Sequence, residues 1–176
     1  MQYIIFLRGV NVGGRTIKMA DLKACIEKAG YKEVQTVLQT GNVILETYEV
    51  KAEKLQQKIE ALLSATFAYA ARVLAITPEE LEGILQGSPF KINDPAFHRY
   101  IVFTKEGFEK ELVKDSGILD RKIEEIQIGK NAVYWRVLKG NTLDSTFGKY
   151  LGKVGTKHFI TSRNSNTIEK IMAKCL

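Results

Sequence analysis

The chain is poor in most of the residues from which chemistry is read directly. It has two cysteines, two histidines, three prolines and one tryptophan in 176 residues. Cys25 and Cys175 stand too far apart for a metal spacing and too few for a disulfide framework. His98 and His158 are isolated from one another and from any carboxylate or thiol at catalytic or ligand spacing, so both are expected to be structural. No Ser/His/Asp, Cys/His or paired-carboxylate constellation is present, so no catalytic residue is assigned, and no motif calls for a cofactor or a metal. No apolar run approaches the roughly 20 residues of a membrane span. The N-terminus runs into apolar sequence without a basic signal region, which gives the expectation of a reducing cytoplasm and no membrane.

What is present is ordinary in bulk and uneven in detail. The apolar fraction is 45% and the charged fraction 26%, as in soluble globular proteins. A chain of this length buries roughly 70% of its unfolded surface without staples. The net charge of +6 sits entirely in the second half. Residues 1–90 carry 10 basic and 10 acidic groups, and residues 91–176 carry 16 and 10. From Lys130 onward, nine cations face only Asp144 and Glu169. Such a segment attracts polyanions, so nucleic acid is one expected partner, against the alternative of a solvated basic surface. Lys149, Lys153 and Lys157 recur every four residues, with Gly148, Gly152 and Gly155 set against a long helix there.

The most informative stretch is Tyr3-Ile-Ile-Phe-Leu-Arg-Gly-Val-Asn-Val-Gly-Gly-Arg15. Ile4 to Leu7 suit a strand buried on both faces. Gly9, Gly13 and Gly14 allow positive φ and close approach of a ligand to the backbone. N–H groups exposed in such a loop before a helix form an anion-binding concavity, to which Arg8 and Arg15 add charge-assisted donors. The segment Gly9-Val-Asn-Val-Gly-Gly-Arg-Thr16 misses the phosphate-binding P-loop pattern by one residue. Arginine stands where the lysine reaching the terminal phosphates belongs, and no apolar strand ends in an aspartate to help hold magnesium. A nucleotide triphosphatase is therefore not expected, and the glycine spacing is not that of a dinucleotide fold.

Hydrophobic periodicity orders the rest. Strands are expected at Gln2–Leu7, Val34–Leu38, Val43–Glu46 and Arg72–Ile76, with helices at 18–29 and 51–67. This βαββαβ order is that of a ferredoxin-like unit. Thr77-Pro-Glu-Glu80 reads as a capping box opening a short helix. Ser88–Pro95, with two of the three prolines, reads as a linker. Beyond it, strands at Arg99–Phe103, Lys122–Ile128, Ala132–Leu138 and Lys157–Ile160, with helices at 106–114, 146–151 and 167–174, repeat the order. Tyr134 and Trp135 alternate, so at most one should face a core. The expected fold is α+β, with two ferredoxin-like βαββ(αβ) units packed into one compact protein, a first over 1–87 and a second, basic one over 96–176. The oligomeric state is not legible.

The candidate ligand-binding residues follow from this arrangement. Arg8, Asn11, Gly13, Gly14 and Arg15 come from the first loop. Gln39 and Asn42 flank the first hairpin, at the sheet end to which the antiparallel first strand delivers that loop. Arg163 and Asn164 precede the last helix, where Asn166 is the expected N-cap and Glu169 its capping-box acid. The leading expectation is an anionic partner, either nucleic acid or a phosphorylated metabolite. The alternative is a small phosphate-directed hydrolase, by analogy with acylphosphatases, which join a ferredoxin-like unit to an arginine-bearing first loop and a nearby asparagine. Whether any reaction is catalysed is left open.

Three segments together resemble a known family: Phe6-Leu-Arg-Gly-Val-Asn-Val-Gly-Gly14 with Met19 and Leu22, Leu38-Gln-Thr-Gly-Asn-Val43, and Thr161-Ser-Arg-Asn-Ser-Asn-Thr167. They look like the bacterial domain-of-unknown-function family DUF1697. The resemblance implies an α+β fold with ferredoxin-like units and brings no established activity. Ser165 departs from it, standing where the family usually carries tryptophan between two asparagines.

Overall fold

The structure, a computed structural model, describes residues 1–10, 16–91 and 94–175. It divides into two compact units, Met1–Glu82 with Glu169–Leu176, and Gly83–Ile168. Their extents differ from the expected 1–87 and 96–176: the boundary falls within a helix before the proline-containing linker, and the last residues group with the first unit.

The first unit runs β1 (Gln2–Leu7), α1 (Met19–Lys28), β2 (Lys32–Val37), β3 (Asn42–Glu46), α2 (Ala52–Phe67) and β4 (Val73–Ile76). Its strands lie in the antiparallel order β2-β3-β1-β4. Leu22 and Ile26 of α1, four apart, and Leu55, Ile59 and Leu63 of α2, in steps of four, project from single helix faces onto Ile5, Leu7, Val43 and Leu45 of the sheet. Ile4, Phe6 and Ile44, on the opposite face, are buried as well. The continuous apolar run of β1 therefore reflects burial on both sides.

A third helix, α3 (Pro78–Gln86), spans the boundary between the units. Its capping box closes as the sequence requires: Glu80 N–H donates to Thr77 Oγ1 at 3.2 Å and Thr77 N–H to Glu80 Oε2 at 3.0 Å.

The second unit repeats the pattern with β5 (Phe97–Phe103), α4 (Phe108–Lys114), β6 (Glu124–Ile128), β7 (Ala132–Leu138), α5 (Thr146–Val154) and β8 (Thr161–Asn164), in the order β6-β7-β5-β8. The final helix is α6 (Ser165–Met172). The fold is thus α+β, with two four-stranded antiparallel sheets of ferredoxin-like order.

Three local expectations are corrected. The last strand is Thr161–Asn164 and not Lys157–Ile160, because α5 continues to Val154 and its closing turn holds Lys157 and His158, both donating to the Val154 carbonyl. The glycines within α5 do not shorten it. At Gly148 a Cβ would run into the Thr142 carbonyl oxygen, so glycine is what lets this helix start pass that carbonyl. The N-cap of α6 is Asn164, whose Oδ1 accepts Asn166 N–H at 3.0 Å; Asn166 is already inside the helix.

Tyr134 and Trp135 are both buried, because both faces of this sheet are covered. Trp135 meets Phe147 edge-on at 5.4 Å between ring centroids. Its indole donates to Glu124 Oε2 at 3.0 Å, and Phe147 N–H at the start of α5 donates to Glu124 Oε1 at 3.0 Å. Tyr134, on the other face, donates its hydroxyl to the Ile84 carbonyl at 2.7 Å. Neither ring is left for base stacking.

Candidate functional site

The end of the first sheet is built from three chain passages. Arg8 directly follows β1, and its N–H donates to the Arg72 carbonyl at 2.9 Å. Leu7 pairs with Val73, so continuing that register sets Arg8 opposite Arg72. On the other side Phe6 pairs with Asn42, and Leu7 N–H donates to the Gly41 carbonyl at 2.8 Å. Gly41 has φ +72°, and a Cβ there would lie 2.9 Å from Leu7 Cβ, so the turn needs glycine. Arg8, Gly41, Asn42 and Arg72 therefore share one sheet end.

Burial, with the charge of Arg72 second, pushes the Arg8 guanidinium below its ordinary pKa. Arg72 Nε lies 3.8 Å from Glu60 Oε1, which also accepts Val73 N–H at 2.9 Å, so this carboxylate is shared with the backbone. Arg72 is the residue that sequence reasoning missed. Its signal was available: in this strand order the fourth strand lies beside the first and starts at the same end, and Arg72 immediately precedes it.

The other expected residues fall as follows. Asn42 is fully buried, and its amide nitrogen donates to the Val37 carbonyl and to Thr40 Oγ1, each at 2.9 Å. Both amide hydrogens are thereby engaged in holding the hairpin, as turn chemistry would have it. Gln39 is exposed in that hairpin. Beside it Leu38 has φ +57° with its side chain 47% exposed, an unfavourable state for a large apolar residue on both counts. Asn11, Gly13, Gly14 and Arg15 lie outside the described residues.

Arg163 and Asn164 belong to the second unit. Arg163 is buried in β8, where its Nη1 donates to Thr161 Oγ1 at 2.9 Å and to the Ser162 carbonyl at 2.8 Å, both neutral oxygens of its own strand. Burial lowers its pKa to about 10. Asn164 is occupied as the cap of α6. Lys149 and Lys153 lie one turn apart on α5 and are exposed, as is Lys157 in the turn beyond. His158 stacks on Phe108 at 4.4 Å, and the His98 ring lies 5.9 Å from that of Tyr100. Among the described residues no group of three His, Cys, Asp or Glu side chains is placed to hold a metal, and no helix is long and apolar enough to cross a membrane.

The architecture defines a class: α+β proteins with two ferredoxin-like units in one chain, here with an arginine pair at one end of the first sheet. Within that class the chain belongs to DUF1697, a family of proteins of unknown function, whose profile matches residues 1–134. A solved structure described as the conserved bacterial protein SP0830 from Streptococcus pneumoniae is similar over 99% of this chain and 98% of its own, with a TM-score of 0.80 and 24% sequence identity. At that identity the likeness speaks for the fold alone. No curated protein matches the chain.

Proposed function

We propose that this protein binds an anionic ligand, a phosphorylated metabolite or the phosphates of a nucleic acid, at the end of the first sheet marked by Arg8 and Arg72. The observation that carries the reading is the convergence of two arginines, Arg8, half-buried, and Arg72, at the sheet end where the glycine-rich loop begins. A phosphate or carboxylate group bound at this end would accept from both planar forks. The loop from Arg8 to Arg15 leaves β1 at this end, which is why Asn11, Gly13, Gly14 and Arg15 are carried in the proposal as ligand contacts. Asn42 supports it as the residue that fixes the hairpin beside the pair. The hydrolase alternative gains no support from Asn42, whose amide hydrogens are both engaged.

The test is calorimetric titration of the full chain with pyrophosphate, with a nucleoside triphosphate and with a short polynucleotide, for wild type, Arg8→Ala and Arg72→Ala. Hydrogen bonds to charged groups are worth about 1.5–3 kcal/mol each, so either substitution should weaken binding about tenfold. Equal affinity of wild type and both variants for every anion that binds would overturn the assignment of this end as the site.

A further inference from the structure

Among the described residues the second sheet has an open side. β6 lies at its edge, and its ladder with β7 runs without a bulge from Glu124 opposite Val137 to Ile128 opposite Val133. Bonds at the two ends fix the phase of that ladder: Leu138 N–H to the Ile123 carbonyl and Gly129 N–H to the Ala132 carbonyl, each 2.8 Å. Hydrogen-bonded and non-bonded pairs alternate in an antiparallel ladder, so Ile126 and Ile128 turn their N–H and C=O groups away from β7. Glu124 points the same way, but its N–H is taken by the Asp120 carbonyl at 2.8 Å.

The other three sheet edges are blocked by the chain's own groups. On β4 the outward N–H groups of Val73 and Ala75 are capped by Glu60 and Gln56 of α2, each at 2.9 Å. β2 carries a register shift between Lys32 and Gln35, with Glu33 at φ +48°. β8 has four residues, and its Ser162 carbonyl accepts from Arg163 Nη1. Such bulges, short strands and side-chain caps are how sheets avoid edge pairing, and among the described residues β6 has none of them. Beside it lies a cavity of about 480 Å³ between the strand and Phe90, Ile118 and Leu119. Ile118 is 96% exposed and Ile128 43%.

We propose that β6 is the seat of a second copy of this chain, whose own β6 adds to the sheet antiparallel about a two-fold axis through Gln127. The register is set by which groups are open. Ile126 opposite the partner's Ile128, and the reverse, makes four backbone hydrogen bonds from the groups that turn away from β7. It needs nothing from the occupied Glu124 N–H. It sets Gln127 against the partner's Gln127 and Glu125 against the partner's Gly129, with no like charges opposed. Centring the axis on Ile126 would set Lys122 against the partner's Lys130. The incoming strand fills the cavity, and the contact covers Ile118 and Ile128, so the surface is self-complementary as an isologous dimer requires.

The experiment is sedimentation equilibrium of the full chain up to its highest soluble concentration, for wild type and Ile128→Pro. The Ile128 N–H is not used within its own sheet, so proline there leaves the ladder with β7 intact while deleting two of the four intermolecular bonds. Wild type should dimerise and Ile128→Pro should associate at least about tenfold more weakly. The register is read separately in a Cys25→Ser, Cys175→Ser background. Gln127→Cys lies in a non-bonded pair across the axis, with Cα atoms about 4.5 Å apart, and should form a disulfide dimer on mild oxidation, whereas Glu125→Cys should not. A wild type that stays monomeric, a dimer unmoved by Ile128→Pro, or equal cross-linking at positions 125 and 127 would each overturn the proposal. So would a monomer that takes up an extended segment of a different protein on this edge.

Discussion

Replacing Glu124 tests whether a buried carboxylate organises the second unit. Its side chain, 2% exposed, accepts the Trp135 indole N–H with one oxygen and the Phe147 backbone N–H with the other, both at 3.0 Å. It thereby ties β6 to β7 and to the first turn of α5, where the helix dipole favours negative charge. Glu124→Ala leaves two buried donors without partners, at about 1–3 kcal/mol each, so a loss of about 4 kcal/mol is expected. That is a large share of the 5–15 kcal/mol typical of a whole domain. Glu124→Gln keeps the shape and one acceptor oxygen, and turns an NH₂ towards the second donor. About half the loss, roughly 2 kcal/mol, should follow. Urea unfolding read by fluorescence measures this locally, because Trp135 is the chain's one tryptophan and sits in the contact. A Trp135→Phe, Glu124→Gln cycle, read by far-ultraviolet circular dichroism because it removes that tryptophan, should return a coupling of about 1 kcal/mol or more. If Glu124→Gln lies within about 0.5 kcal/mol of wild type, the scatter of ordinary surface changes, the carboxylate is not the tie described.

Further outcomes follow from individual side chains. Gly148→Ala drives a methyl group into the Thr142 carbonyl oxygen and should destabilise the chain by about 2 kcal/mol or more in the same urea assay. Tyr134→Phe removes the hydroxyl that donates to the Ile84 carbonyl and should cost about 1 kcal/mol by thermal or urea unfolding, since the ring stays in place. If the lysines on and after α5 hold a polynucleotide, the Lys149/Lys153/Lys157→Ala variant should bind it less tightly at low salt. Its salt slope should be shallower by about one unit for each phosphate it no longer neutralises. Equal affinities in filter binding across a salt series would make them a solvated surface.

The fold was largely legible because its signals are local and mutually consistent. β1 and β7 have the bounds that periodicity gives, and the Thr77–Glu80 box closes as its sequence implies. The errors fall where a tertiary contact overrides a local rule. Glycine lowers helix propensity, yet Gly148 is required by a carbonyl that sequence alone cannot place beside it. Alternation put one of Tyr134 and Trp135 outside, yet a helix end covers the second face and takes the Tyr134 hydroxyl. Asn166 and Asn164 are equally good caps by type, and only the path of β8 into α6 selects Asn164. At the candidate site the sequence named Arg8 but not Arg72, because 64 residues separate two side chains that the strand order sets opposite each other.

The two units offer an internal comparison that bears on the arginine pair. Leu7 N–H bonds the Gly41 carbonyl in the first sheet, and Thr104 N–H bonds the Asn131 carbonyl, at 3.1 Å, in the second. Gly41 and Asn131 both take positive φ, +72° and +55°, so the two hairpins end alike. Aligned on these bonds Arg8 corresponds to Lys105, but the first ladder goes on to the bond from Arg8 N–H to the Arg72 carbonyl, whereas the second ends at Phe103 opposite Thr161. The second sheet thus ends short of the step at which the first sets one cation opposite another. The ferredoxin-like order therefore does not itself require an arginine pair at this sheet end. Arg72→Phe should leave the stability of the first unit, in the absence of ligand, within about 1 kcal/mol of wild type, because the cross-strand pair and the exposed Glu60 contact it removes are each worth no more than that. The same change should weaken anion binding about tenfold in the calorimeter. An Arg72→Phe protein that is less stable than wild type by more than this and binds anions as well would show that the pair is there for structure.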